Sequence, residues 1–272
     1  MKTKTYVVTG SASGIGKALI QRLAENNVVF AGYRNPIHET DLRLISPNIY
    51  PFYIDFDKPE TIKEAGEYIT TKCTKIDTVV NIAGCVVAGP VEKLNIDEVR
   101  RQFNVNVFGH LDLTQRLVPI LEDGRIINIS SMASFGIFPF IAPYCASKKC
   151  LDMFFNSFMI ENKKNIKVIS IKPGVISTPL WGKSIEENSK YFEDFDEYSK
   201  EMRYVLENAK KNERTGLSAE KVVDTILQAD RAKNPKLSYT VGSDAFFASI
   251  VSKMPQNVVN RLIKLGIKLK IN

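Results

Sequence analysis

Short runs rich in Val, Ile, Phe and Tyr alternate along the chain with stretches in which apolar residues recur at helical spacing. The runs are Thr5–Thr9, Val28–Tyr33, Tyr50–Asp55, Asp77–Asn81, Arg125–Ser130, Lys167–Lys172 and Leu237–Val241. Apolar runs of this length suit strands covered on both faces. Between them the spacing predicts helices over Gly14–Glu25, Pro59–Thr71, Ile96–Leu121, Pro143–Asn162 and Ser218–Ala229, the third broken or bent near Gly109. Ser218, followed by Ala, Glu and Lys, reads as an N-cap with an acidic first turn. The alternation predicts an α/β fold: a doubly wound, mostly parallel sheet of about seven strands in a single domain over residues 1–272. The stretch 178–217 departs from it, being charged, lacking strand signals and holding the one tryptophan, and reads as a lid or specificity segment.

Composition narrows the class. The 272 residues are 44% hydrophobic and 25% charged, which suits a globular chain and excludes disordered and fibrous ones. Cys73, Cys85, Cys145 and Cys150 show no ligand-like spacing, and two histidines build no His-rich site, so free thiols and no metal are expected. No apolar run reaches the roughly 18 residues of a spanning helix, and the start runs straight into a strand without a leader-like apolar core. A cytoplasmic protein is the reading. Five of the net +7 charges fall at 253–272, on Lys253, Arg261, Lys264, Lys268 and Lys270, with no acidic residue among them. An amphipathic helix is expected there over 258–265, offering Val258, Val259, Leu262, Ile263 and Leu265 for burial. Packing on the body, covering the substrate end or a subunit contact is its expected use, ahead of a membrane surface. Nothing in the chain matches zinc-finger or RNA-recognition signatures, so nucleic acid is not a partner.

Candidate chemistry begins where the first strand meets Thr9-Gly10-Ser11-Ala12-Ser13-Gly14-Ile15-Gly16. Glycines at a strand-to-helix turn admit positive φ and let the backbone approach a pyrophosphate, with helix amides facing the anion; a tight turn alone is the plainer alternative. Pro90 follows Gly89 where a phosphate-loop NTPase needs Lys, which excludes that class. Tyr144 and Lys148 lie four apart at the start of a predicted helix and share a face. An ammonium beside a phenol favours phenolate and lowers its pKa, making a general acid/base, although such a pair is also common on solvated surfaces. Ser131 just past a predicted strand and Asn106 on the preceding helix strengthen the first reading.

Taken in order, TGSASGIG at 9–16, Asp55, NIAG at 81–84, NVNVFG around Asn106, ISS ending at Ser131, YCASK at 144–148 and PGVIST at 173–178 resemble the short-chain dehydrogenase/reductase family in its compact form. Ile82 stands where most members have a second Asn. The resemblance implies a Rossmann-like sheet and four catalytic residues, Asn106, Ser131, Tyr144 and Lys148. It also implies a nicotinamide dinucleotide held by Gly10, Ser11, Ser13, Gly14, Ile15, Gly16, Arg34, Asp55, Asn81, Ala83, Gly84, Tyr144, Lys148, Pro173, Gly174, Ile176 and Thr178. In reduction Tyr144 gives its proton to the carbonyl oxygen, Ser131 bonds that oxygen, and Lys148 bonds the ribose and tunes the phenol. Asn106 supports a water relay or only bends its helix; Asp55 meets the adenine or only forms a turn.

Cofactor choice is read at the second strand's end, where Tyr33 and Arg34 occupy positions at which binders of the unphosphorylated cofactor carry an acid. Arg34 suits a 2'-phosphate, which favours NADP(H) over NAD(H), though Ser13 is not the basic residue many such members have. Around Tyr144 the apolar run Phe135–Pro143, with Leu180 and Trp181, suits a bulky hydrophobic carbonyl or alcohol substrate, or is simply core. The C-terminal stretch resembles members acting on steroids and retinoids, and a homodimer or homotetramer is expected. The rival reading is a catalytically silent nucleotide-binding regulatory or scaffold protein of the same fold.

Overall fold

The computed structural model describes residues 3–182, 184 and 196–271. Seven strands form one sheet: β1 Thr5–Val8, β2 Val28–Tyr33, β3 Ile49–Tyr53, β4 Thr78–Asn81, β5 Arg125–Ile129, β6 Lys167–Pro173 and β7 Ser238–Val241. Their spatial order is β3-β2-β1-β4-β5-β6-β7 and every pairing is parallel. The chain winds outward from β1 in one direction, returns, and continues from β4 in the other. That reversal opens a crevice at the carboxyl ends of β1 and β4.

Alternation along the strands divides the core in two. Tyr6 and Val8 of β1 face one layer, which holds Leu19, Ile20 and Leu23 of α1 (Gly14–Leu23) and Val222, Val223 and Ile226 of the helix Ala219–Arg231. Val7 faces the other layer with residues of α3 (Pro59–Lys72), α5 (Gly109–Leu117) and α6 (Ala142–Glu161). The period-2 geometry of a strand sends neighbouring side chains to opposite layers, so uninterrupted apolar runs are what a doubly covered sheet requires.

Four helical features extend or correct the reading from sequence. α2 (His38–Ile45) was not anticipated, because Leu42 is its only buried residue. The helix expected over Ile96–Leu121 is α4 (Ile96–Phe103) and α5 joined by a wide turn at Asn104–Phe108, where the Gly109 N–H reaches back to the Asn104 carbonyl. The expected break near Gly109 is this turn, which ends immediately before it, and Gly109 itself packs against Phe56. A helix α7 (Ser199–Thr215) occupies part of the 178–217 segment; residues 183 and 185–195 of that segment lie outside the described residues. After α8 (Ala219–Arg231) come α9 (Ser243–Val251) and α10 (Gln256–Ile271), the last longer than the 258–265 expected. Among the described residues no helix is long and apolar enough to cross a membrane.

Candidate active site

The turn after β1 shapes one end of the crevice. Gly10 and Gly14 adopt φ of 67° and 52°, in the left-handed region where a side chain is strained. A Cβ on Gly10 would stand 3.0 Å from the backbone of Ala83, so the turn lies directly on the loop after β4. Ser13 sits at the N-cap of α1 without making a side-chain cap, which leaves the first amides of the helix open towards the crevice. A cradle of glycines that excludes side chains, ending in uncapped amides, fits a pyrophosphate.

The cavity holds about 460 Å³. Its lining includes Gly10, Ser13, Gly14, Ile15, Arg34, Asp55, Ala83 and Gly84 towards the turn, and Ser131, Tyr144, Lys148, Pro173, Gly174, Ile176 and Thr178 beyond it. Three residues expected at the cofactor do not line it. Ser11 is fully buried, its hydroxyl donating to the Val8 carbonyl at 2.9 Å and its N–H to Gly32 at 2.9 Å, so it holds the turn to the sheet. Gly16 serves the same packing, since a Cβ there would overlap the Gly10 carbonyl oxygen. Asn81 donates to Asn128 Oδ1 at 2.8 Å inside the sheet.

Asp55 lies two residues past the end of β3, one carboxylate oxygen accepting from the Asp57 N–H at 3.2 Å, so turn-forming and crevice-lining positions coincide in one residue. Asp55 is the one acidic residue among the described residues lining the cavity. Glu39, the nearest acid after β2, is engaged elsewhere: it accepts from the Tyr33 hydroxyl at 2.6 Å and from Arg43 at 2.7 Å.

At the other end, Ser131, Tyr144 and Lys148 converge. Ser131 follows β5, and its Oγ accepts the Ala133 N–H at 3.1 Å. Tyr144 and Lys148 lie one turn apart on α6, with the Lys148 Nζ 5.8 Å from the centre of the Tyr144 ring and donating to the Ile129 carbonyl at 2.8 Å. Here an expectation is reversed. Burial pushes the Tyr144 phenol up to about 12, outweighing the hydrogen bond from Ser131 that works the other way. Burial also draws the Lys148 ammonium down to about 8, against the opposing charge of Asp152. A sequence shows the pair but not the desolvation both members suffer, and in the free protein desolvation dominates.

Asn106 lies in the wide turn between α4 and α5 and is fully buried. Its Oδ1 accepts from the Cys85 N–H at 2.9 Å, while Nδ2 donates to the Cys85 carbonyl at 3.0 Å and to the Ser147 hydroxyl at 3.0 Å. Its direct bonds therefore go to the loop after β4 and to α6, not to Lys148.

The family model described as short chain dehydrogenase matches residues 4–189. The chain belongs to the short-chain dehydrogenase family. It is 29% identical over 277 residues to the NADPH-dependent 3-dehydrocapnine reductase of Ornithobacterium rhinotracheale, covering 96% of each chain. With the estradiol 17-beta-dehydrogenase 2 of Mus musculus it shares 30% identity over 287 residues, covering 97% of this chain and 74% of that one. Among solved structures, a short chain dehydrogenase from Burkholderia cenocepacia in complex with NADP superposes with a TM-score of 0.74 at 21% identity, covering 96% of this chain and 98% of that one.

Two features of this short-chain dehydrogenase were not visible in its motifs. The loop after β4 has no strand beside it, and buried side chains supply its partners instead. Thr9 Oγ1 accepts from the Ile82 N–H at 2.9 Å, Gln102 Oε1 from the Val87 N–H at 2.9 Å, and the His110 Nε2–H donates to the Ala83 carbonyl at 2.8 Å. Burial holds His110 neutral by lowering it to about 3. Its spacing of four from Asn106 is the signal a reader of the sequence had available. The second feature is an ion pair beneath the lysine: Asp152, one turn beyond Lys148, meets Lys172 at 2.7 Å and accepts from the Ser170 hydroxyl at 2.9 Å.

Proposed function

We propose that the protein is an NADP(H)-dependent oxidoreductase that interconverts a carbonyl and a secondary alcohol on a bulky hydrophobic substrate. One observation carries this: Ser131, Tyr144 and Lys148 meet in a cavity that runs from the glycine cradle into an apolar chamber. Ala133, Phe138, Ile141, Tyr144, Leu180 and Trp181 line that chamber, and Val86 and Cys145 are buried in the same apolar cluster behind them. The Tyr144 and Trp181 rings lie 6.1 Å apart at 62°. An apolar chamber with a few convergent polar groups selects substrates by shape and orients one polar function. The names of the two relatives, a 3-dehydrocapnine reductase and an estradiol dehydrogenase, support a ketone or secondary alcohol on such a molecule.

The cradle and the first amides of α1 hold the pyrophosphate, Asp55 faces the adenine, and Arg34 takes the 2'-phosphate. NADP(H) is favoured over NAD(H) because Glu39, the acid nearest the end of β2, is held by Tyr33 and Arg43 and does not line the cavity. Lys148 binds the nicotinamide ribose, and Pro173, Gly174, Ile176 and Thr178 wall the ring. When bound, the reduced nicotinamide supplies the hydride for the substrate carbon. Ser131 donates a hydrogen bond to the substrate oxygen and orients it, and Tyr144 Oη transfers its proton to that oxygen. A phenol at about 12 is a reluctant acid, and the Lys148 charge is what stabilises the phenolate left behind. Asn106 fixes the spacing of Cys85 and Ser147, and thereby the loop and helix that carry these groups. Thr178, Leu180 and Trp181 line the cavity, and exposed Met153, Phe154 and Ile160 of α6 form a contact between copies in a homo-oligomer.

The test is NADPH oxidation across steroids, long-chain ketones, aromatic ketones and small polar ketones. Turnover with the apolar members is the expected result. Turnover confined to small polar ketones, or none with any carbonyl, overturns the reading.

A further inference from the structure

α9 and α10 leave large apolar side chains outside the fold. Phe246, Phe247 and Ile250 of α9 are exposed, Phe247 by 67%, and α10 adds Val258, Leu262 and Leu265. Spacing of i, i+4 and i+7 places those three along one side of α10. Val259 and Ile263 lie about a quarter-turn round the helix and serve the other side, with Val259 buried. One apolar stripe is enough to pack a helix on its body. α10 carries a second, and the body does not cover it.

Charge identifies what covers it. Asp244 is the last acidic residue of the sequence, and beyond it Lys253, Arg261, Lys264, Lys268 and Lys270 contribute five positive charges. Lys253, Arg261 and Lys264 are exposed beside the apolar side chains. A second copy of this segment would bring five like charges and no acid to offset them, which disfavours self-association through this face. An anionic bilayer surface meets both features, accepting the apolar side chains below its headgroups and pairing the lysines and arginine with its phosphates.

We propose that α9 and α10 dock the protein on an anionic lipid surface, lying in the interface rather than crossing it. The docked face begins at the crevice: Asp244, at the start of α9, accepts the Val175 N–H at 2.7 Å, and Val175 lines the cavity. Docking does not depend on what the enzyme reduces, since it is read without turnover.

The experiment is co-sedimentation of the full chain with phosphatidylcholine vesicles containing about one-third phosphatidylglycerol, against phosphatidylcholine alone. The protein is expected to pellet with the anionic vesicles only and to be released by salt. Arg261→Gln and Lys264→Gln should each weaken binding about fivefold, the usual effect of one basic residue near such a surface. Leu262→Ser and Phe247→Ser should weaken it as well, with melting temperature and NADPH binding unchanged, which separates lost docking from lost folding. No pelleting with anionic vesicles, or equal pelleting of all four variants, overturns the proposal. So does dissociation of an oligomer by Leu262→Ser in light scattering, which would make the stripe a subunit contact.

Discussion

Replacing Tyr144 by Phe removes the phenolic proton and keeps the ring against Trp181, so the chamber stays filled and only the acid is lost. Turnover should fall by at least about a hundredfold with NADPH affinity little changed, as steady-state rates and fluorescence titration would show. Near-wild-type turnover would remove Tyr144 from the chemistry. Lys148 makes the pH dependence specific. Drawn down to about 8 by burial, its ammonium is lost as pH rises through that value, and with it the support for phenolate. The kcat/KM for reduction, measured at limiting dinucleotide, should therefore decline above about pH 8. At the adenine end, Arg34→Ala should weaken NADPH by roughly ten- to a hundredfold and NADH far less, the range for a hydrogen bond to a charged group. Equal losses for the two would mean that Arg34 does not read the phosphate.

Elements decide how these side chains meet. The wide turn at Asn104–Phe108 inserts an extra residue between two short helices, and α5 continues from Gly109 against α3 and Phe56 of the loop after β3. A Cβ on Gly109 would lie 2.4 Å from the Phe56 ring, which itself packs edge-on to His110 at 4.6 Å. Gly109→Val should cost about 1–3 kcal/mol through overpacking and lower the melting temperature by several degrees, with the activity of the surviving protein reduced because His110 no longer seats the Ala83 carbonyl. Unchanged melting would show that Phe56 swings aside freely. The sequence placed a break near Gly109 but not its kind, because the apolar period alone does not show an inserted residue. The insertion depends on backbone hydrogen bonding and on Asn106 finding Cys85 and Ser147, neither of which is near it in sequence.

Across the whole molecule, Asp230 ties the last third of the chain to the first strand. It accepts from Lys4 Nζ at 2.8 Å, Tyr6 Oη at 2.8 Å and Thr78 Oγ1 at 2.7 Å, joining α8 to β1 and β4. Burial alone would raise its pKa, but the hydrogen bonds from Lys4, Thr78 and Tyr6, with the Lys4 charge, bring it below the usual carboxylate value. A depressed folded-state pKa means stability present above the unfolded value of about 3.9 and lost as pH falls through the folded one. Asp230→Asn should then destabilise the protein by about 3 kcal/mol near neutral pH, with the gap to wild type closing below about pH 4 in denaturant titrations. A gap that persists in acid would place the effect in packing rather than charge.

The order of strands and helices, the glycine turn and the spacing of Ser131, Tyr144 and Lys148 were legible in the sequence, because each depends on local periodicity or on residues within a turn or two of one another. α2 was not, since a helix that buries only Leu42 leaves almost no periodic signal. The outward stripe of α10 was visible as apolar residues but not as exposed ones, because burial is a property of what lies opposite. The same holds inside the site. Ser11 and Ser13 look alike in the motif, yet one hydroxyl is spent on Val8 and the other residue lines the crevice. Tyr144 and Lys148 stand together in the sequence as an activated pair, but only the surrounding core of α6, β5 and the loop after β4 determines how much water each has lost. Desolvation is summed over neighbours drawn from the whole chain, and that sum exists only once the chain has folded.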